Sequence, residues 1–143
     1  MWVVGDGALL EPTRKRAHEL GLGEAVTFWG RQSDVRPYLA GADVFTLCSK
    51  SEGVPMALLE AMSVGLPAVV SNAGGMPEVL AAGASVVAEC GDARALAEGL
   101  LHFGLDGELR RRVAPLAQER FRKDFTMERM AQAYEELYAA ALV

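Results

Sequence analysis

The stretch Ser49-Lys50-Ser51-Glu52-Gly53-Val54-Pro55-Met56-Ala57-Leu58-Leu59-Glu60-Ala61-Met62 decides how this chain folds. An apolar strand-like run, Val44–Leu47, leads into it, and a helical pattern over Pro55–Val64 leads out. Pro55 suits the first helical position, where its missing N–H costs nothing. Gly65 followed by Pro67 makes a helix stop. A helix that opens at the carboxyl end of a parallel strand stands where open α/β sheets bind ligands. The free amides near Val54, Met56 and Ala57, together with the helix dipole, form a seat for a phosphate.

Outward from this segment the same alternation continues. Strands are expected at Trp2–Val4, Val26–Trp29, Val44–Leu47, Ala68–Val70 and Ser85–Val87. Helices are expected at Glu11–Leu20, Asp34–Ala40, Pro55–Val64, Pro77–Ala81 and Ala93–Phe103. Short, continuously apolar strands alternating with helices across Gly/Pro turns predict an α/β fold, a doubly wound parallel sheet covered on both faces. Two helices then follow with no strand between them. The first, Gly107–Arg122, contains Pro115, where a kink or break is expected. It also carries Arg110, Arg111, Arg112, Arg120 and Arg122, with Lys123 beyond, either a solvated face or an anion contact. The second begins after Thr126 and repeats Met127, Met130, Ala131, Tyr134, Leu137, Tyr138 and Ala141 on one stripe, which is expected to pack on the domain itself.

The 143 residues suit one domain, 1–143. Half the chain is hydrophobic (51%) and 23% is charged, which excludes a disordered chain and a disulfide scaffold. A net charge of -5 argues against nucleic acid as a partner, and no apolar run is long enough for a transmembrane segment. No secretory signal is visible, so a cytoplasmic setting is expected, with peripheral membrane attachment open for a longer enzyme. Cys48 and Cys90 lack zinc or redox spacing and read as small buried hydrophobes. His18 and His102 are isolated, and no metal site is expected. The chain begins inside a βα unit, Met1-Trp2-Val3-Val4 running into Gly5-Asp6-Gly7, and so reads as truncated on its N-terminal side.

Two glutamates focus the chemistry. Glu60 has Met56, Ala57, Ser63 and Val64 three and four residues away, so its carboxylate is expected to be buried on an apolar surface and to need a donor. Glu52 precedes the helix, where a carboxylate favours the dipole but competes with phosphate for the same amides. The residues alone leave two alternatives open: a helix cap at Glu52 with a distant ion pair at Glu60, or a ligand at both.

A glutamate, seven residues and a second glutamate, set in Ser-x-x-Glu-Gly-x-Pro-x-x-x-x-Glu-Ala-Met, resemble the signature of retaining glycosyltransferases of the GT-B fold, family 4 (glycosyl transferases group 1). Supporting pieces follow in order: Val3-Val4-Gly5-Asp6-Gly7, Val26-Thr27-Phe28-Trp29-Gly30, Tyr38-Leu39-Ala40-Gly41-Ala42-Asp43-Val44, Gly65-Leu66-Pro67-Ala68-Val69 and Gly74-Gly75-Met76-Pro77-Glu78. The resemblance covers nearly the whole chain. It implies a Rossmann-like C-terminal domain, lacking its first βα unit, that binds a nucleotide-sugar donor (a UDP-, GDP- or ADP-sugar) as substrate and uses neither cofactor nor metal. Glu52 would then act in catalysis by holding the transferred sugar, and Glu60 would hold the ribose hydroxyls. Gly53, Val54, Pro55, Met56 and Ala57 would face the sugar and diphosphate, Gly30 and Arg31 the base, and Gly5 and Gly7 the cleft wall.

The family also supplies an Arg and a Lys upstream of the opening strand, and an N-terminal acceptor domain. Without them the chain alone is expected to have little hexosyltransferase activity. The alternative is a non-catalytic binding or assembly module, self-associating through a sheet edge or the Tyr134/Tyr138 stripe. Other chemistries fit worse. Leu10 stands at the third glycine of a dinucleotide fingerprint. Serine hydrolase, P-loop and zincin motifs are absent. Glycosidase carboxylates face each other at roughly 5–9.5 Å, whereas eight helical residues rise about 12 Å. Glu78 could line a cleft or stabilise its own helix.

Overall fold

A computed structural model describes residues 1–141. The elements run β1 (Trp2–Val4), α1 (Leu10–Glu19), β2 (Thr27–Gly30), α2 (Arg36–Ala40), β3 (Phe45–Leu47), α3 (Met56–Ser63), β4 (Ala68–Ser71), α4 (Met76–Val79), β5 (Ser85–Ala88), α5 (Ala93–Gly104), α6 (Gly107–Asp124) and α7 (Met127–Ala141). The chain divides into two compact units, Met1–Tyr38 and Leu39–Val143.

In the first unit β1 and β2 pair in parallel, Trp2 opposite Thr27 and Val3 opposite Phe28, with an irregularity after Val3. Trp2, Trp29 and Tyr38 meet edge to face, with ring centroids 5.3 to 6.3 Å apart. No residue of this unit is fully buried.

The core lies in the second unit, whose sheet has the order β3-β4-β5 with both ladders parallel. All four residues of the central strand β4 are buried, which explains its unbroken apolar run. Helices α3 and α5 pack on strands, and α6 packs on both helices. Phe103, Leu58, Met62, Met76, Val69 and Val70 fill the interior. Helix ends are closed locally. Asp92 Oδ1 accepts from the Ala95 amide at 2.9 Å and Asp106 Oδ1 from the Leu109 amide at 2.8 Å, capping α5 and α6. At the end of α3 the Leu66 amide donates to the Ala61 carbonyl and the Gly65 amide to the Met62 carbonyl. That Schellman pattern needs the left-handed backbone of Gly65, at φ +82°.

Four expectations are corrected. Helix α6 continues through Pro115 without a break. Two arginines of its basic cluster bind backbone: Arg110 donates to the carbonyls of Phe103 and Gly104 at the end of α5 and pairs with Asp43, while Arg120 donates to the carbonyls of Glu78 and Val79. Cationic side chains suit these last carbonyls, where the helix dipole is negative. Helix α7 lies against α6, yet none of its residues is buried, and Met127, Met130, Tyr134, Leu137 and Tyr138 stay exposed. Its amphipathic spacing reports a face, not what covers it. Both cysteines are exposed, because each follows a strand into a loop at its carboxyl end. Among the described residues no helix is long and apolar enough to cross a membrane.

Gly99 of α5 marks a close helix–sheet approach, since a Cβ there would stand 2.9 Å from Cγ1 of both Val69 and Val86. A β-branched valine cannot swing aside. Alanine gains about 1 kcal/mol of helix propensity, against about 1–3 kcal/mol for overpacking. Gly99→Ala is therefore expected to lower stability, by about 1 kcal/mol on balance, in urea denaturation. An unchanged or raised midpoint would show that the sheet can yield.

Candidate functional site

The residues singled out from the sequence gather at the carboxyl ends of strands, in two groups. In the first unit the Gly5 amide donates to the Gly30 carbonyl at 2.8 Å, joining the ends of β1 and β2. Val3, Gly5, Asp6, Gly7, Leu10, Thr13 and Phe28 are among the residues that line an open depression of about 280 Å³ beside α1. Arg31 follows β2 and is exposed, and the Gln32 amide group donates to the Trp29 carbonyl at 2.7 Å, holding the turn. Further on, the Arg36 guanidinium and amide both donate to Asp34. Those bonds hold the Asp34 carboxyl at about 2, against an ordinary 3.8, so this exposed pair persists as pH falls through the ordinary carboxylate range and is lost only as pH falls through about 2.

In the second unit, the loop from β3 to α3 carries Glu52 through Pro55. Pro55 is the residue just before α3 rather than its first residue, and no side chain caps the helix. The first amide of this region to reach a helix carbonyl is that of Leu58, which donates to Pro55. The amides of Met56 and Ala57 precede it, so they have no intrahelical partner and point out of the helix N-terminus. Val54 and Met56 are exposed, and Pro55 is half-buried.

Glu52 does not cap this helix. It is half-buried, and its Oε1 accepts from the Ser49 hydroxyl at 2.6 Å. The loop itself is held from the side. The hydroxyl of buried Ser71, at the end of β4, donates to the Ser49 carbonyl at 2.5 Å. The Gly75 amide donates to the Gly53 carbonyl at 3.2 Å. Cys90, past β5, lies with Sγ 3.2 Å from the Asn72 carbonyl oxygen and 3.8 Å from that of Ser49. The loops after three adjacent strands are thereby tied into one cluster. Ser49, Ser71 and Asn72 were not identified as site residues from the sequence; single hydroxyls and amides carry no pattern, though Ser49 sits inside the decisive stretch.

Glu60 is corrected. Its side chain is exposed, and none of the ion pairs among the described residues includes it. Helix α3 buries Leu58, Leu59, Ala61 and Met62, which leaves Met56, Ala57, Glu60 and Val64 on the opposite, uncovered face. The apolar neighbours of Glu60 are genuine, but they surround it on the outside. Glu78 is likewise exposed, in the first turn of α4.

The fold has close counterparts among solved structures. A glycosyltransferase from Rickettsia africae superposes with a TM-score of 0.91 at 19% identity, over 99% of this chain and 39% of that one. Anabaena HepE in complex with UDP gives 0.89 at 24% identity, over 97% and 40%. The architecture is that of a GT-B glycosyltransferase C-terminal domain. The model of the glycosyl transferases group 1 family matches residues 1–120, and the chain belongs to that family. Lipopolysaccharide core biosynthesis glycosyltransferase LpsE of Rhizobium meliloti is 32% identical over 98% of this chain, and N-acetyl-alpha-D-glucosaminyl L-malate synthase of Bacillus anthracis is 32% identical over 95%. The chain spans 42% and 36% of the lengths of these two relatives.

The tightest point of the cluster is Gly74. Its φ is +54°, and a Cβ there would stand 1.6 Å from the Glu52 carbonyl oxygen. Gly74→Ala must move the Glu52 backbone as well as adopt a disfavoured conformation, and is expected to cost on the order of 2–3 kcal/mol. Gly23 has open space and is the control. Thermal denaturation in which Gly74→Ala matches Gly23→Ala would refute the contact.

Proposed function

We propose that this chain is the donor-binding half of a retaining glycosyltransferase, which transfers a hexose-type sugar from a nucleotide diphosphate to an acceptor. The observation that carries the reading is the uncapped start of α3 directly behind Glu52. Oriented amides at a helix N-terminus stabilise a diphosphate both when bound and as it leaves, with no metal ion required. In this reading Glu52 holds hydroxyls of the transferred sugar and is the residue closest to the chemistry. Gly53, Val54, Pro55, Met56 and Ala57 serve the diphosphate side, Gly30 and Arg31 the base, and Gly5 and Gly7 the cleft wall. Glu60 serves the ribose. Its support is no longer burial but an unpaired carboxylate standing alone on an exposed apolar face, the arrangement a diol could satisfy. One solved neighbour supports this chemistry: Anabaena HepE has been crystallised with UDP and with UDP-glucose.

Titration of UDP-glucose, GDP-mannose and ADP-glucose tests the assignment. Weak binding of at least one is expected, and Glu60→Ala should reduce it about tenfold, since a hydrogen bond to a charged group contributes about 1.5–3 kcal/mol. Equal affinity in the variant removes Glu60 from the site. Released nucleotide diphosphate should be negligible with the 143-residue chain alone; measurable turnover would show that it carries more of the machinery than this reading assigns.

A second reading, a non-catalytic assembly module, is favoured by the uncovered stripe of α7, where Tyr134 and Tyr138 lie with ring centroids 6.1 Å apart. Light scattering is expected to show self-association that Tyr134→Glu with Tyr138→Glu abolishes. A strict monomer at high concentration excludes it.

A further inference from the structure

We infer that Ser49 is a positioning residue for the donor sugar, acting through Glu52; this rests on the reading of Glu52 as the sugar ligand. The Ser49 hydroxyl has one proton, and the structure directs it to Oε1 of Glu52 at 2.6 Å, within the range of charge-assisted O–H···O⁻ bonds. Both partners are fixed by their own backbones. Ser49 is held through its carbonyl by the buried Ser71 hydroxyl, and Glu52 lies against Gly74 so closely that no Cβ fits between them. A short bond between two anchored points sets the carboxylate's rotation, and not merely the loop's path.

This geometry has a chemical consequence. An ionised carboxylate offers about four acceptor sites and no donor. Ser49 occupies one on Oε1, and no other side-chain hydrogen bond among the described residues reaches this carboxylate. What remains can receive only donors, so neighbouring sugar hydroxyls are accepted while phosphate oxygens are repelled. By holding this acceptor in one rotation, Ser49 sharpens the distinction between a nucleotide and the same nucleotide carrying a sugar.

The test compares affinities within three pairs, UDP with UDP-glucose, GDP with GDP-mannose and ADP with ADP-glucose, by ligand-observed NMR on the whole chain. The quantity read is the ratio of sugar-nucleotide to nucleotide affinity for the pair that binds. Ser49→Ala should lower that ratio about fivefold through a carboxylate no longer held in one rotamer. Ser49→Thr, which keeps the hydroxyl, should restore it, and Glu52→Ala should remove the sugar's contribution. A ratio that falls in Glu52→Ala but not in Ser49→Ala overturns the positioning role and leaves the role of Glu52 standing. A parallel fall in both affinities with Ser49→Ala, leaving the ratio unaltered, makes Ser49 a loop-structure residue and also overturns the inference. A ratio that survives Glu52→Ala, or an absence of binding by all six ligands, overturns the reading of Glu52 and the inference with it.

Discussion

The loop that carries Glu52 has almost no regular structure of its own, and its shape depends on a backbone contact with the segment after β4. Two glycines make that contact possible. At Gly74 the chain takes a left-handed turn directly against the Glu52 carbonyl, and at Gly75 it donates a hydrogen bond to Gly53. Ser71, at the end of the fully buried strand β4, completes the tie through the Ser49 carbonyl. A loop held this way inherits the rigidity of the central strand. Preorganised groups on a rigid support lose little freedom when a ligand arrives, which is the usual reason for placing binding loops at strand ends.

The same arrangement explains why α3 can afford an exposed apolar face. One side, Leu58, Leu59, Ala61 and Met62, is buried. The helix end is closed by Gly65, so the element is secure without cover on its other side. Met56, Ala57 and Val64 then remain at the surface around Glu60. A carboxylate in that setting is solvated and costs little until something apolar and hydroxyl-bearing covers it. Arg110 and Arg120 show the contrasting use of charge. Both bind helix-end carbonyls, so part of what looks like a basic surface is internal fastening.

Much of this was legible in the residue order. The positions of the strands and helices follow from runs of apolar residues punctuated by glycine and proline, and the observed ends differ from expectation by two residues or fewer. Parallel pairing follows from the alternation of strand and helix, because a parallel neighbour needs a crossover. The decisive stretch around Glu52 was visible because a strand, a glycine turn and a helix start occur together within a short span, and its spacing of glutamates matches a known family signature.

What the residue order could not decide is which side of an element faces inward and which distant backbones meet. Helix α3 is apolar nearly all round, so periodicity alone allowed Glu60 to be placed inside when the tertiary fold turns it outward. The stripe on α7 is a real face, but covering it depends on what lies nearby. Ser71 and Gly74 acquire their importance only when β4 brings them beside residues about twenty positions earlier in the chain. Local propensity acts over a few residues and is written in order along the chain; burial and long-range backbone contacts arise only when separate segments pack together.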